Sequence, residues 1–349
     1  MSRTPFDRLR LAQPTAVLAT ALGGGVAQAA TVPLSIQVTT GSVRYGSETS
    51  GFGAIGTTSS NSMVVGPSGT TNAGSDAYGI GEASLLQPAA RGTTTAQTDA
   101  FDRFAQIRVN GTFFTQPGAQ VDVTTTADGT FVSSLSALDI GGIDTTLDYF
   151  TDGSSPTLRV LASLTNTTGG ALTAEVLYGG NLGSDGDTRI EASSSGDAAF
   201  QQADRWFISR DGSTVAGDDP VLTFVRYGEG DVQAASASYE VPGTAGGSGD
   251  LDYFTDVWSL LLGPGETQSL MWFVQFSDFA ATAEGRTDVF ADLDTLSTAG
   301  LLAAVGGGAI GTDNIVNWTR PADVPVPGAL WLVGVGLFGL AAARRRSRG

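Results

Sequence analysis

Residues 157–178 read TLRVLASLTNTTGGALTAEVLY, and the fold class is decided there. Leu158, Val160, Ala162 and Leu164 fall on alternate positions, the period of a β-strand with one face buried. Asn166-Thr-Thr-Gly169-Gly170 then supplies turn chemistry, and Leu172-Thr-Ala-Glu-Val176-Leu-Tyr178 resumes as a second strand. Working outward, Val121-Asp-Val123-Thr and Leu222-Thr-Phe224-Val-Arg-Tyr227 are written in the same way. Turn signals punctuate the intervals at Asp128-Gly129, Asp211-Gly212 and Pro264-Gly265. Trp206-Phe-Ile208 and Met271-Trp-Phe-Val-Gln-Phe276 are almost continuously apolar, which suits strands covered on both faces.

These patterns predict a mainly β body, built as one large or two packed antiparallel β-sandwiches. Residues 30–146 are expected as a Gly/Ser/Thr-rich β region, with alternation at Leu34-Ser-Ile36-Gln-Val38 and at Met63-Val64-Val65. Residues 147–305 are expected as the sandwich proper. One short helix is predicted over residues 287–305, where Val289, Phe290, Leu293, Leu296, Leu301 and Leu302 recur near helical spacing behind Asp288. Residues 306–323 read as a linker. The hexapeptide Leu-Asp-Tyr-Phe-Thr-Asp occurs at 147–152 and again at 251–256, each time before a strand-like run, which raises the prospect of a duplicated sandwich. Two turns resemble those of extracellular β-sandwich modules. Asn166-Thr-Thr-Gly169-Gly170 is similar to a hairpin tip, and Leu262-Gly-Pro264-Gly265-Glu266-Thr267 to a turn ahead of a strand.

Composition narrows the chemistry. The chain has no Cys and no His, and all 18 basic residues are Arg. Ser-His-Asp and Cys-His nucleophiles, His or Cys zinc sites, Schiff-base lysines and a Walker lysine are therefore all excluded. Without Cys there is no disulfide, so an exported fold must hold by packing and hydrogen bonds. Residues 30–327 hold 11 Arg against 34 Asp and Glu, a net charge of −23. Such a surface argues against nucleic acid and anionic membranes as partners.

What remains is carboxylate chemistry. Asp185-Gly-Asp187 is the best candidate for calcium, because Asn181, Ser184 and Thr188 crowd oxygen donors into the same Gly-containing stretch. The plainer reading is a solvated Asp-Gly turn. Asp218-Asp219, the group Asp250, Asp252 and Asp256, and the pair Asp292 and Asp294 are the other acidic clusters, and none fits an EF-hand. A glycosidase needs only two carboxylates about 5–10 Å apart, but the eight Glu are scattered and lie in no recognisable motif. Trp206, Trp258, Trp272 and Trp318 with Tyr149, Tyr178, Tyr227 and Tyr253 could stack on sugars. Core packing is the stronger reading for all but Trp318, which stands near the linker.

The two ends carry an address. Arg3, Arg8 and Arg10 precede an apolar stretch from Ala16 to Val26 and the small residues Ala27-Gln28-Ala29, the layout of a secretory signal peptide over residues 1–29. At the other end, Val324-Pro325-Val326-Pro327-Gly328 leads into an apolar run of 16 residues from Gly328 to Ala343. As a helix this run spans about 24 Å, enough to insert if flanking residues snorkel. Arg344, Arg345 and Arg346 follow and would hold that end on the cytoplasmic side. Gly334-Val-Gly336-Leu-Phe-Gly339 formally fits G-x-G-x-x-G but lacks the βαβ context of a dinucleotide site.

Together these tail residues resemble the PEP-CTERM sorting signal of Gram-negative bacteria. The family's glutamate between the prolines is Val326 here. The resemblance implies a C-terminal transmembrane helix, processing by an exosortase-type enzyme, and association with exopolysaccharide or biofilm at the cell surface or in the extracellular matrix. The leading expectation is thus a non-enzymatic surface protein without a resident cofactor, exported through signal peptidase. A calcium-assisted carbohydrate-binding module is the alternative, and a carboxylate-dependent glycoside hydrolase or lyase is a third reading.

Overall fold

The computed structural model describes short stretches between residues 28 and 101, most of residues 104–277, and residues 314–318. The chain enters as β1 (Gln28–Pro33). A series of short strands follows: β2 (Val38–Thr40), β3 (Val43–Tyr45), β4 (Ile55–Thr57), β5 (Asn61–Val64), β6 (Thr70–Ala73), β7 (Tyr78–Ile80) and β8 (Ala83–Leu85). Next come β9 (Gln106–Val109), β10 (Thr112–Phe113), β11 (Gln120–Thr125), β12 (Gly129–Ser134), β13 (Leu138–Asp139) and the long β14 (Ile143–Asp152). The remainder are β15 (Thr157–Asn166), β16 (Leu172–Asn181), β17 (Thr188–Ser193), β18 (Trp206–Asp211), β19 (Val221–Val225), β20 (Ser236–Glu240), β21 (Tyr253–Leu262) and β22 (Thr267–Ser277).

Two antiparallel sheets dominate. One has ten strands in the order β1-β11-β12-β14-β15-β22-β19-β18-β17, with β13 beside β14, and the other runs β10-β9-β16-β21-β20. They share one main core. On β15, Leu158, Val160, Ala162 and Leu164 turn into it, as their alternation predicts. On β16 the inward residues are Ala174, Val176 and Tyr178, and the Tyr178 ring stacks on Trp272 of β22 across the interface at 4.0 Å. The short strands add Val43, Ile80, Ala83 and Leu85 to the same core.

The ten-stranded sheet has a second apolar cluster on its other face. Phe150, Leu161, Ile208, Val221, Val225, Met271 and Phe273 belong to it. That is why the sequence of β22 is nearly continuous in apolar residues: Leu270, Trp272, Val274 and Phe276 serve the main core, and Met271 and Phe273 the outer cluster.

The turn after Asn166 is not a hairpin tip. β15 pairs with β14 and β22, whereas β16 pairs with β9 and β21, so this turn carries the chain from one sheet to the other. The turn between β21 and β22 makes the reverse crossing beside it. Asn166, fully buried, staples the two corners. Its Nδ2 donates to Gly170 O at 2.7 Å and to Leu262 O at 3.0 Å, and its Oδ1 accepts from the Thr168 amide at 2.8 Å. Its amide donates to Glu266 O and its carbonyl accepts from the Gly265 amide, both at 3.0 Å. Within the five-stranded sheet, β16 approaches β21 so closely at Gly179 that a Cβ there would lie 2.0 Å from Phe254 O.

The helix expected over residues 287–305 and the C-terminal apolar run lie outside the described residues, as do residues 1–27 of the signal peptide expected over residues 1–29, whose last two residues, Gln28 and Ala29, open β1 opposite Thr125 and Thr124. Among the described residues, no helix is long and apolar enough to cross a membrane.

Candidate functional site

Val324, Pro325, Val326, Pro327 and Gly328, Arg344, Arg345 and Arg346, and the calcium candidates Asp185 and Asp187 all lie outside the described residues. The ends of the acidic stretch are fixed: Leu182 is fully buried and bridges Phe101, and Thr188 pairs with Asp211. Among the described residues, no group of three or more Asp or Glu gathers in a way that could hold a metal ion.

The described stretch nearest the tail is residues 314–318, inside the span expected as linker. β19 runs beside β22 from Val221 opposite Ser277 to Val225 opposite Phe273 and then ends. Residues 315–318 occupy the space beside β22 beyond that point. Ile315 bridges Ser269 in parallel, and the Val316 amide donates to Ser269 O at 2.9 Å. Asn317 then uses its side-chain amide as a strand uses its peptide group. Its Oδ1 accepts from the Met271 amide at 3.0 Å, and its Nδ2 donates to Met271 O at 2.7 Å and Arg226 O at 2.9 Å. The Asn317 carbonyl accepts from the Gly228 amide at 3.0 Å. Every polar atom of this fully buried side chain is thus paired, which burial demands.

Trp318 corrects the expectation of an exposed aromatic near the linker. It is 6% exposed, its Nε1 donates to Met271 O at 2.8 Å, and its ring meets Phe273 edge-on at 5.3 Å. With Ile315 it covers part of the outer apolar cluster. Burying two such side chains is worth about 1.5–3 kcal/mol each. A sugar-stacking platform is not formed by the other aromatics whose side chains are described either. Tyr149, Tyr178, Tyr227, Trp258 and Trp272 are buried in the core, and Trp206 is partly buried beside the outer cluster.

Arg226 connects this seat to the opposite sheet. Its side chain crosses the interface to Asp256 of β21, with Nε 3.0 and 2.9 Å from the two carboxylate oxygens and Nη2 on Oδ1 as well. Its Nη1 donates to the carbonyls of Gln201 and Gln202 at 3.3 Å and to that of Asp204. The Phe200 ring lies 4.7 Å from the guanidinium carbon. Burial holds the Asp256 carboxyl above the usual carboxylate range, and the attraction and hydrogen bonds of Arg226 offset part of that. Asp204, also buried, accepts from the amides of Ser195 at 3.0 Å and Gln201 at 2.7 Å, which shapes the loop that caps the guanidinium. Asp256, a member of one sequence-predicted acidic cluster, is therefore bound internally, as half of a desolvated ion pair.

With this geometry in place, residues 323–346 match the PEP-CTERM protein-sorting motif. The chain carries a PEP-CTERM sorting signal, which implies recognition by an exosortase-type processing enzyme and export to the cell envelope or surface. No curated protein matches the sequence. Among solved structures, an aldose 1-epimerase from Klebsiella pneumoniae aligns at 10% identity and a TM-score of 0.37, over 56% of this chain and 68% of that one. A polysaccharide lyase aligns at 14% identity and a TM-score of 0.37, over 67% of this chain and 34% of the lyase. The GH36 α-galactosidase AgaA from Geobacillus stearothermophilus aligns at 12% identity and a TM-score of 0.34, over 70% and 40% of the two chains. Likenesses this distant transfer no activity.

Asn317 and Trp318 carry no sequence motif. The one signal for them is the apolar pair Ile315-Val316, which follows the glycine-rich stretch 306–311 after Thr312-Asp313-Asn314 and marks a short strand-like contact inside the linker span.

Proposed function

We propose that the protein is an exported, non-enzymatic component of the cell surface or extracellular matrix. Signal peptidase releases the N-terminus after Ala29. The C-terminal apolar run holds the chain in the inner membrane with Arg344, Arg345 and Arg346 on the cytoplasmic side, and an exosortase-type enzyme processes the tail. The observation that carries this reading is the motif match over residues 323–346. Association with exopolysaccharide or biofilm follows from the resemblance of that tail. Support for a structural rather than catalytic role comes from the chain's lack of His, Cys and Lys, and from the commitment of Asp256 and Asp204 to internal bonds.

Mass spectrometry of the exported protein tests the reading. The expected mature C-terminus lies upstream of Arg344. An exported form that still ends at Gly349 would overturn it.

A further inference from the structure

We propose that residues 315–318 form a clasp that makes processing of the tail conditional on a closed sandwich; this rests on the sorting reading above. The seat of the clasp is composite. Met271 belongs to β22, Arg226 and Gly228 follow β19, and Asn317 bonds all three at once. The Arg226 side chain in turn reaches Asp256 on the other sheet and the carbonyls of residues 201, 202 and 204. The position of the Arg226 carbonyl that Asn317 needs is therefore fixed by contacts to both sheets and to the 194–204 loop. A chain in which β21 has not docked against β22 has no such seat.

The clasp also sets a distance. Six residues, 319–324, separate Trp318 from Pro325. Fully extended, that interval spans at most about 25 Å. With the clasp closed, the enzyme meets the motif on a short tether whose far end is fixed to folded protein. With the clasp open, the nearest described anchor upstream is Ser277 at the end of β22, 48 residues before Pro325. The tail then has many more arrangements to surrender on binding, and the folded body is no longer held beside it.

The test uses the full chain expressed in a host with an exosortase-type system, read as the fraction with a processed C-terminus. Three variants are compared with wild type. Trp318→Ala with Asn317→Ala opens the clasp. An insert of about twenty Gly/Ser residues between Arg320 and Pro321 leaves the clasp and the fold intact and adds about 25 Å of flexible reach. Pro325→Ala with Pro327→Ala alters the motif itself. The clasp proposal expects at least a threefold fall in the processed fraction for both the clasp and the insert variants, with the thermal melt of the insert variant unchanged. Wild-type processing of the insert variant overturns it, even if the clasp variant fails to fold. Wild-type processing of a folded clasp variant overturns it equally. If the proline variant alone loses processing, the sorting reading stands without the clasp. If the proline variant is processed like wild type, the sorting reading falls instead.

Discussion

The hexapeptide at residues 147–152 lies in β14, where Leu147 and Tyr149 enter the main core and Phe150 lies in the outer cluster. The identical hexapeptide at 251–256 leads into β21, where Phe254 enters the main core and Asp256 is buried on the same side. The two copies thus present opposite alternation to the interior. Their neighbours decide it. Ile143 and Thr145 continue the inward row of the first copy, whereas Trp258, Leu260 and Leu262 continue that of the second. A strand has a period of two, so a shift of one residue turns every side chain to the other face. The copies also join different sheets, β14 beside β12 and β15, and β21 beside β16 and β20. Identical local sequence therefore does not mark equivalent halves of a duplicated sandwich; each copy takes its orientation from its flanks.

The largest expected difference between the copies lies in their acids. Asp256→Ala leaves the Arg226 charge buried and unpaired, and should cost about 3–5 kcal/mol in urea denaturation. Asp148→Ala in the first copy, at a half-buried position, removes the carboxylate that partly offsets the burial of Arg159 and should cost less than Asp256→Ala, because water still reaches that site. Comparable losses at the two sites would break the distinction. Replacing both partners, Arg226→Met with Asp256→Leu, should recover most of the loss, because a buried ion pair and an apolar pair of similar size are often nearly equivalent.

A smaller effect is expected at Tyr149. Its buried hydroxyl donates to Ala105 O at 2.9 Å, and Ala105 holds a positive φ of 56°. Tyr149→Phe leaves that carbonyl unpaired and should cost about 1–3 kcal/mol in a thermal melt. An unchanged melting temperature would show that the inward tyrosine of the first copy contributes by packing alone.

The smallest concerns the corner that follows the second copy. Glu266 accepts from the Gly263 amide and from Gln268 Nε2, both at 2.7 Å. The Gln268 bond, followed by the Gly263 bond, holds its carboxyl below the usual range. The folded value is thus lower than the unfolded one. The contribution is present above the ordinary carboxylate range and fades as pH falls through the folded value. The stability gap between wild type and Glu266→Gln should narrow over that acid window, and a gap independent of pH would remove the carboxylate from the account.

The β class was legible because alternation is local: Leu158 to Leu164 and Ala174 to Tyr178 show their inward faces in the sequence itself. Asn110-Gly111, with positive φ at both residues between β9 and β10, is a hairpin signal of the same local kind. Partnership was not legible. Nothing near Asn166 says that its turn crosses between sheets, because the atoms that decide it belong to Leu262, Gly265 and Glu266. Asp256 reads as one of several surface acids until Arg226, distant in sequence, is placed beside it. The tail was legible for the opposite reason: the motif over residues 323–346 is matched in linear sequence alone.

The Asn166 staple has a consequence for how the chain folds. Its bond to Leu262 spans 96 residues, and the neighbouring Ser163 to Ser269 and Thr165 to Thr267 bonds span 106 and 102. Closing that corner means paying the entropy of a loop of this length before any of these contacts gives a return. Topologies dominated by such distant pairings condense on the scale of milliseconds to seconds. On the proposed export route, in which the chain crosses the membrane as an extended polymer, the corner cannot lock until residues on both sides of the long loop have emerged.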